Sequence, residues 1–499
     1  MKLKKTDCLP LQLVLLLCLF TPLLIIAQEK ESTSKQAPIT IVAKVLDKES
    51  KEPLPFTNVI VEGTSIGTIT NEEGFFELTV SEKYKRSKLV FSFIGYQNTS
   101  IAIKSFDGND KFVYLETESN SLDEVLLIAK NKYKEFINQA IATTSQNYAQ
   151  QATLLETYYR ELTKIDNKYT KFADAAINLY YSPYDGSFDL QRSRVGYYRF
   201  SRLENEIKKV PFPEPSDLIA DYKDQAKIIA LRKSDNLQKY KILKQSKELS
   251  AIDTTNLKWL ENNEIGGGPL RLTGADKFKR QEDFFDPKTN GQYLFKLYGR
   301  SSYNNKPVYI ISFAPKDSTN AKAKYKGEIT LDEESKAVIA YQYSLTKLSK
   351  KQSSQKFGAQ LKTPESVEKE SKLAFISRTT SLEDYKIYVT YSYYNGKWYL
   401  KRIKATNTYL NTGDLFEDYT AITESELVIN KTQTENIQVF PINEVFDSIF
   451  SNALFNLNLP YNQPFWKSYS TLVATGVVGK ALEDLESTSS LEKQFETNK

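Results

Sequence analysis

Residues 39–117 alternate between apolar and polar positions in short runs, separated by turn-forming residues such as Pro53 and Gly74. Alternation turns every second side chain toward the same face of a strand, so each run predicts a strand with one buried face. Seven short strands in such a stretch indicate a β-sandwich, with Phe76 and Phe91 in its core. The predicted strands are 39–46, 58–61, 67–70, 75–80, 89–94, 99–103 and 112–115.

A helical pattern follows the sandwich. Between residues 129 and 148, apolar side chains recur at intervals of three and four residues, which places them on one face of a helix. We expect this helix to lie within a linker over residues 118–150. An α-helical insertion is predicted at 216–262, because Ser216-Asp217 and Ser234-Asp235 are typical helix-starting pairs.

The rest of the second domain, 151–470, has the pattern of antiparallel sheet. Asn395-Gly396 separates two aromatic-rich runs, and this dipeptide favours a type I′ hairpin turn. The fold class is therefore mainly β with α: an N-terminal β-sandwich followed by an antiparallel, half-barrel-like β-meander with packed helices. The predicted hairpins are 385–394 with 397–406, 325–331 with 337–346 and 293–298 with 308–313, and further strands are predicted at 172–181 and 421–429.

The chain begins with the pattern of an export signal. Lysines precede an apolar run over residues 9–26, and the run is followed by Ala27. We expect cleavage near Ala27, which makes residues 1–27 a signal peptide. A membrane-spanning anchor needs about 20 uninterrupted apolar residues, whereas Pro10 and Pro22 interrupt this run. The remaining predicted segments are a linker at 28–38 and a polar C-terminal tail at 471–499.

Charge and cysteine content narrow the function classes. The formal net charge is +5, and removal of residues 1–27 takes away three lysines and one aspartate, which leaves +3. A chain so close to neutral gives no reason to expect nucleic acid as a partner. Both cysteines, Cys8 and Cys18, lie in the leader, so we expect no disulfide framework in the mature chain.

The chain contains no histidine. This excludes Ser-His-Asp and Cys-His catalysis, His-ligated zinc and a histidine general base. A carboxylate-based hydrolase stays open, since it needs only two carboxylates across a cleft. The candidate carboxylates lie in segments predicted as turns, where solvation accounts for them, so we predict no catalytic, cofactor-binding or metal-binding residue. The candidates are Glu333 and Glu334, Asp283 and Asp286, Glu383 and Asp384, and Glu417 and Asp418.

Two further polar segments are interpreted as turns. Gly266-Gly267-Gly268 is followed by Pro269, which has no N–H, and lacks the lysine of a phosphate-binding loop. Asp107-Gly108-Asn109-Asp110 lacks the additional ligands of a calcium-binding loop. The 32 tyrosines include several adjacent pairs, and alternation on strands predicts that one member of each pair is buried and the other exposed. Exposed tyrosines are also a possible platform for sugars or peptides.

Two motifs in the sandwich carry a family resemblance. They are Gly67-Thr68-Ile69-Thr70-Asn71 with Gly74-Phe75-Phe76-Glu77-Leu78, and Leu89-Val90-Phe91-Ser92-Phe93-Ile94-Gly95-Tyr96. Together they resemble the carboxypeptidase-regulatory-like, transthyretin-type domain, in the form found at the front of TonB-linked outer-membrane receptors. Leu122-Asp123-Glu124-Val125 is similar to the junction that leads into the plug of those receptors. The rest of this chain is too short for a plug and a barrel of about 22 strands.

The second domain carries two weaker resemblances. In layout it resembles the lipoprotein-carrier type of periplasmic half-barrel. In Gly266-Gly267-Gly268-Pro269-Leu270 with Asp276, and in Tyr325-x-Gly327-x-Ile329-x-Leu331-Asp332, it resembles uncharacterised envelope proteins that place the regulatory-like domain first.

Two hypotheses about function follow. In the first, the chain is a non-enzymatic protein exported to the periplasm or to the periplasmic face of the outer membrane, with peripheral membrane association at most. Its sandwich docks a partner, and its curved sheet holds an apolar ligand or another chain. The alternative is a carboxylate-based hydrolase acting on glycans. A deep groove lined by Phe and Tyr supports the first, and two facing carboxylates about 5 to 10 Å apart support the second.

Overall fold

The computed structural model describes most of the chain from residue 37 onward. The predicted signal peptide, the receptor-like junction at 122–125 and the loop at 107–110 lie outside the described residues. The described residues are 37–106, 111–118, 132–184, 224–235, 268–352, 355–361, 374–413, 418–446, 454–455, 457–473, 475–487 and 489–497.

The N-terminal part is a β-sandwich of seven strands, as predicted. The strands are β1 (Ile39–Asp47), β2 (Asn58–Val61), β3 (Gly67–Ile69), β4 (Phe75–Val80), β5 (Lys88–Ser92), β6 (Thr99–Ala102) and β7 (Lys111–Leu115). One sheet has the order β4-β1-β7 and the other β3-β2-β5-β6. Phe76 and Phe91 are fully buried between the sheets, with ring centroids 5.6 Å apart, which confirms their predicted place in the core.

The second part is built on one antiparallel sheet of eleven strands. The strands are β8 (Thr153–Ile165), β9 (Lys168–Tyr181), β10 (Gln225–Asp235), β11 (Tyr293–Tyr303), β12 (Lys306–Pro315), β13 (Tyr325–Asp332), β14 (Val338–Leu345), β15 (Gln355–Leu361), β16 (Ala374–Tyr394), β17 (Lys397–Gly413) and β18 (Tyr419–Gln433). Their order is β10-β9-β8-β18-β17-β16-β14-β13-β12-β11, and β15 pairs with β16 beside this path. The sheet is open, with β10 and β11 at its edges, in agreement with the predicted fold class.

All three predicted hairpins are present, as β16–β17, β13–β14 and β11–β12. At the tip of the first, Asn395 and Gly396 have φ angles of 46° and 80°. At the tip of the third, Asn304 and Asn305 have φ angles of 52° and 58°. Positive φ at both central residues is the geometry of a type I′ turn, which matches the twist of the strands it joins.

Short helices cover this sheet. Within the described part of the chain, no helix is both long enough and apolar enough to cross a bilayer. The α-helices are α1 (Lys132–Ala142), α2 (Thr144–Asn147), α3 (Pro269–Thr273), α4 (Lys277–Arg280), α5 (Lys347–Gln352), α6 (Gln463–Trp466), α7 (Gly476–Glu486) and α8 (Leu491–Thr497). The 3₁₀ turns are Glu82–Tyr84, Ile103–Phe106, Asp283–Phe285, Asn290–Gln292 and Ile442–Glu444.

Both faces of the eleven-stranded sheet pack against other parts of the chain around β8, β9 and β18. One face packs against α1 and residues 268–292, which we call the plug. The other face packs against the sandwich and the C-terminal segment 457–497. Tyr159 therefore contacts the plug side and Tyr158 the sandwich side, and both are buried. The prediction that one tyrosine of each pair is exposed is wrong for this pair, because β8 has no solvent-facing side.

The predicted helical insertion at 216–262 is wrong where the structure describes it. Residues 225–235 form β10, which pairs antiparallel with β9. Pairing satisfies the backbone groups of this segment and buries Ala226 and Leu231 on the plug side of the sheet. Ser234-Asp235, interpreted as a helix start, ends this strand instead. The rest of the predicted insertion lies outside the described residues.

The C-terminal segment, predicted as a polar tail, also differs from the prediction. Its helices α7 and α8 bury Ala481, Leu485 and Leu491 against Leu162 and Phe172 of the large sheet. Apolar residues recur at helical intervals in α7, which gives this helix one face that packs against the large sheet.

Candidate functional site

The plug fills the face of the large sheet on which a ligand was predicted. Leu270, Phe278, Phe284 and Phe285 are each no more than 1% exposed. Phe284 stacks on Phe313 of β12 with ring centroids 4.1 Å apart. Helix α1 covers a neighbouring part of this face, as its predicted amphipathic pattern requires. The apolar surface is therefore buried against the chain's own residues.

A buried carboxylate anchors the plug to the sheet. Asp276, which caps α4, is 0% exposed and accepts hydrogen bonds from three tyrosine hydroxyls. The donors are Tyr181 at 2.7 Å, Tyr341 at 3.0 Å and Tyr391 at 2.6 Å. The N–H of Lys279 donates a fourth, at 3.0 Å. Three strands from separate parts of the sheet thus hold one plug residue.

Charge within this cluster is also compensated. Burial, together with the charge of Asp276, raises the pKa of Tyr181, Tyr341 and Tyr391 well above the usual value, so all three stay protonated donors. Burial lowers the pKa of Lys279, but its ammonium lies 2.7 Å from Asp224 and 3.3 Å from the centroid of the Tyr181 ring. The cluster satisfies its own polar groups and is built as a structural anchor.

Gly268 and Asp276, which carried the resemblance to uncharacterised envelope proteins, both belong to this anchor. Gly268 has a φ of 91° and precedes α3. Its N–H donates to Tyr159 Oη at 2.9 Å and to Glu161 Oε2 at 3.2 Å. Gly266 and Gly267 lie outside the described residues. The motif therefore marks the entry of the chain into the plug.

The carboxylate pairs proposed from the sequence are tied to separate partners on separate elements. Glu334 and Glu383 are exposed, as is Asp418, and Glu417 lies outside the described residues. The contacts of the other carboxylates are those of turn caps, hydrogen bonds and ion pairs. They join Glu333 to Tyr309 Oη at 2.6 Å, Asp283 to Lys277 at 3.2 Å, Asp286 to the N–H of Lys288 at 2.9 Å, and Asp384 to Lys350 at 3.0 Å and Lys386 at 2.9 Å.

Glu383 and Asp384 are placed differently from the prediction. They lie within β16 at a bulge opposite β17, not in a turn. Although partial burial opposes it, hydrogen bonds from Lys386 and Lys350 hold the pKa of Asp384 below its usual range. Asp384 is therefore ionised at neutral pH and is unsuited to donate a proton as a general acid.

A small cavity between the sandwich and the large sheet is lined by two carboxylates whose pKa values are shifted in opposite directions. Its volume is about 80 Å³, and Glu424 and Glu426 of β18 line it together with Glu72. Burial raises the pKa of Glu424, whereas Arg402 and Lys404 hold that of Glu426 low against the effect of burial. Opposed pKa shifts are typical of an acid and base pair.

This cavity is small, and cations hold its carboxylates. Arg402 Nε donates to Glu426, and Lys404 contacts both Glu72 and Glu424. Ligand pockets start at roughly 300 Å³, well above the 80 Å³ available here. The cavity therefore has room for a few waters and not for a glycan. Within the described residues, no group of three or more acidic side chains is arranged to hold a metal ion.

The sandwich presents an apolar surface to solvent on the sheet that contains β7. Val42, Phe112 and Tyr114 are 49%, 53% and 41% exposed and face outward from the neighbouring strands β1 and β7. We call these three residues the edge surface. Lys44 lies beside Phe112 in the strand register, and the ammonium of Lys51 lies 4.4 Å from the centroid of the Tyr114 ring.

A signal for this surface is present in the sequence. All four residues of Phe112-Val113-Tyr114-Leu115 are apolar or aromatic. Since a strand turns alternate side chains to opposite faces, a strand of this kind exposes apolar groups unless both faces are covered. Val113 and Leu115 fill the sandwich core. The sequence predicted the strand, but not that this second face is exposed in the part of the chain that the structure describes.

Comparison with known proteins identifies the sandwich. Residues 42–127 match the family described as the CarboxypepD_reg-like domain. The chain is 38% identical over 82 residues to a TonB-dependent receptor of Formosa agariphila, and 34% identical over 97 residues to the TonB-dependent receptor SusC of Bacteroides thetaiotaomicron. These matches cover 16% and 19% of this chain but only 8% and 9% of the receptors. The similarity is thus confined to the N-terminal domain.

Among solved structures, a LolA superfamily protein of Nitrosomonas europaea aligns with 9% identity over 62% of this chain and 96% of that protein, with a TM-score of 0.18. A TM-score this low supports no conclusion about shared function. The description of the large sheet as half-barrel-like therefore rests on the strand order observed in this chain.

Proposed function

We propose that this chain, which carries a CarboxypepD_reg-like domain over residues 42–127, is a non-enzymatic protein of the cell envelope whose sandwich binds another protein. Its location in the periplasm or on the periplasmic face of the outer membrane is part of the proposal and is supported by the leader pattern at 1–27. The observation that carries the proposal is the edge surface, together with the free edge of β7 beside it.

No described residue pairs with the backbone of Phe112 or Tyr114 on the side of β7 that faces away from β1. The carbonyl of Leu115 accepts from the N–H of Lys48 on the β1 side, and the carbonyl of Glu116 accepts from the N–H of Gln97 on the other side. Successive residues of a strand direct their N–H and C=O groups to opposite edges. Phe112 therefore directs its backbone groups away from β1, and so does Tyr114. β7 is also the last strand of its sheet.

These features suit an extended segment of a partner protein. Strand addition satisfies the free N–H and C=O groups, and side chains on the outward face of the new strand contact the exposed rings. Lys44 and Lys51 form no ion pair with a carboxylate among the described residues. We therefore propose a partner segment that alternates apolar and acidic residues, since acidic groups complement these lysines.

The plug occupies the face of the large sheet on which an apolar ligand was expected. Binding of such a ligand is therefore not part of the proposal. The apolar side chains of the large sheet contact Phe278, Phe284 and Phe285 of the plug. A ligand on that face would have to displace these rings and leave the carboxylate of Asp276 without its tyrosine donors. We assign the plug and the large sheet the role of a support for the sandwich.

Site-specific photo-cross-linking tests the proposal. A benzophenone side chain at position 112 is expected to cross-link an envelope protein in cells, because Phe112 is half exposed beside the free edge. The same group at position 298 is the matched control, since Tyr298 is 70% exposed on β11 of the other domain. Equal cross-linking at both positions, or none at position 112, would contradict the proposal.

Two substitutions at one position separate strand addition from contact with the ring. Tyr114→Val removes the ring but keeps the N–H on the free edge, whereas Tyr114→Pro removes that N–H as well. We expect the valine variant to retain most of the cross-link at position 112 and the proline variant to lose it. Circular dichroism of both variants checks that the sandwich is folded. Equal yields from the two variants would exclude strand addition.

The absence of catalysis is proposed separately. Purified residues 28–499 are expected to show no turnover of glycan or peptide substrates, because the described carboxylates are held by lysines, arginines and turn N–H groups. The sharpest variant is Glu424→Gln, with Glu334→Gln as the exposed-carboxylate control. Turnover that Glu424→Gln abolishes while the protein stays folded would favour the hydrolase instead.

A further inference from the structure

A cleft of about 240 Å³ lies between the second sheet of the sandwich and the tips of two hairpins of the large sheet. We call it the hairpin cleft. The sandwich supplies its floor, and the tips of β11–β12 and β16–β17 supply the opposite wall. Its lining residues include Asn58, Ile60, Val90, Ser92, Asn304 and Tyr393.

The floor has one polar row and one apolar row. Asn58 of β2 pairs with Ser92 of β5, and Ile60 pairs with Val90 in the next outward row. Asn58 is 8% exposed, so most of its amide lies below the surface of the floor. The floor therefore sets a polar row beside an apolar strip.

The wall adds an aromatic ring. Tyr393 is 52% exposed, and its ring lies edge-on to Trp398 with centroids 5.3 Å apart. Asn304 and Asn395, at the two hairpin tips, contribute amide groups. Of the described residues that line the cleft, Glu62 alone carries a charge. This lining selects against an anionic ligand and suits one with neutral hydrogen-bonding groups.

We propose that the hairpin cleft binds one residue of a neutral glycan. A pyranose ring has an apolar face of C–H groups, which an exposed aromatic ring covers, and a rim of hydroxyls, which amides and a hydroxyl satisfy in both directions. Tyr393 supplies the exposed aromatic ring, and Asn304 and Asn395 supply the amide groups. The volume of 240 Å³ is below the roughly 300 Å³ of the smallest drug-sized pockets, so the cleft takes a single sugar unit.

This site is independent of the partner-binding edge of β7. It lies on the outward face of the β3-β2-β5-β6 sheet, whereas the edge surface belongs to the β4-β1-β7 sheet. Because sandwich and hairpins both line the cleft, a bound sugar bridges the two parts of the chain.

Titration of purified residues 28–499, followed by tryptophan fluorescence, tests the site. The neutral probes are glucose, mannose, maltose, cellobiose and mannobiose, and digalacturonic acid is the anionic probe. We expect a saturable change with at least one neutral probe, because stacking on Tyr393 alters the surroundings of Trp398. Tighter binding of disaccharides than of monosaccharides indicates a glycan end, and equal binding indicates a free sugar. Trp398→Phe identifies the reporting side chain.

Two variants locate the site. Tyr393→Ala is expected to weaken binding about tenfold, the effect of losing one well-placed aromatic contact, while the thermal unfolding midpoint stays unchanged because the ring is half exposed. Tyr298→Ala, at an exposed tyrosine outside the cleft, is expected to bind like the parent. A saturable response that Tyr393→Ala leaves intact would overturn the proposal. So would no response to any neutral probe, or tighter binding of digalacturonic acid.

Discussion

Lys401 is the extra residue of a β-bulge on β17, between Leu400, which pairs with Tyr391, and Arg402, which pairs with Thr390. A bulge re-aims the side chains of its strand. Arg402 packs its guanidinium 3.7 Å from the centroid of the Phe56 ring of the sandwich. Lys401 lines a small cavity at the same junction, and its ammonium donates to the carbonyl of Ile429 at 2.7 Å. Two cations are thereby buried where the sandwich meets the sheet.

Burial lowers the pKa of Lys401 from 10.5 to about 7. The folded state therefore favours the neutral amine, while the unfolded chain keeps the ordinary value. Below about pH 7 Lys401 is protonated in the folded and the unfolded chain, and burial of its charge then lowers the free energy of unfolding by the largest amount. This loss of stability decreases as the pH rises from 7 toward 10.5. The sandwich-to-sheet junction is thus expected to become more stable in this range.

Substitution of Lys401 by Met is expected to stabilise the protein. At pH 6 the free energy of unfolding should increase by on the order of 3 kcal/mol, since a buried ammonium is replaced by an apolar chain of similar shape. The gain should shrink progressively between pH 7 and pH 10. Urea unfolding of parent and variant across this range measures it, and Lys296→Met, at an exposed lysine, is the control. A gain that does not vary with pH would contradict the pKa of about 7.

At the scale of elements, the residues of each segment were enough to predict the hairpins and the sandwich. They were not enough to predict β10 and the plug, which form only against residues that are distant in sequence. Asn395-Gly396 specifies its own turn through positive φ at both residues, so its sequence is enough. β10 is a strand because β9 provides the partner, and its lysines and arginine give no such signal. The plug is likewise held by tyrosines that are far from it in sequence.

The same limit applies to the candidate sites. Glu333 and Glu334 lie in a turn that their short polar segment predicts locally, whereas Glu383 and Asp384 lie in a strand that pairs with β17. The sequence did not predict the hairpin cleft, because Asn58, Asn304 and Tyr393 come together only when two domains pack. The edge surface was partly predictable, because the unbroken apolar run at 112–115 places apolar side chains on both faces of its strand.

The contribution of Asp276, which anchors the plug, to the stability of the fold can be measured. Asp276→Ala leaves three buried tyrosine hydroxyls without their acceptor, and each unsatisfied group costs about 1 to 3 kcal/mol. We expect a loss of at least about 3 kcal/mol in the free energy of unfolding, measured by chemical denaturation. Asp317→Ala is the control, since Asp317 bonds only within an exposed turn. A loss below about 1 kcal/mol would show that the tyrosines find other acceptors.

At the scale of the whole molecule, sheet edges are protected to different degrees. Ser470 Oγ accepts from the N–H of Thr79 on β4, and the N–H of Phe446 donates to the carbonyl of Ala226 on β10. β11 carries a bulge between Leu297 and Gly299. Such devices prevent unwanted pairing with other chains. In the described part of the chain, β7 instead presents exposed aromatic residues beside an edge without a paired strand, which is the arrangement that the proposed strand addition requires.

Hydrogen–deuterium exchange of residues 111–115 tests this role of β7 most directly. In purified protein the amides of Phe112 and Tyr114 are expected to exchange fast, because they direct their N–H groups to solvent. In protein bound to isolated envelope membranes we expect the same two amides to exchange at least about tenfold more slowly, as a partner strand protects them, while residues 296–300 of β11 stay unchanged. Equal exchange of Phe112 and Tyr114 in both samples would contradict strand addition at β7.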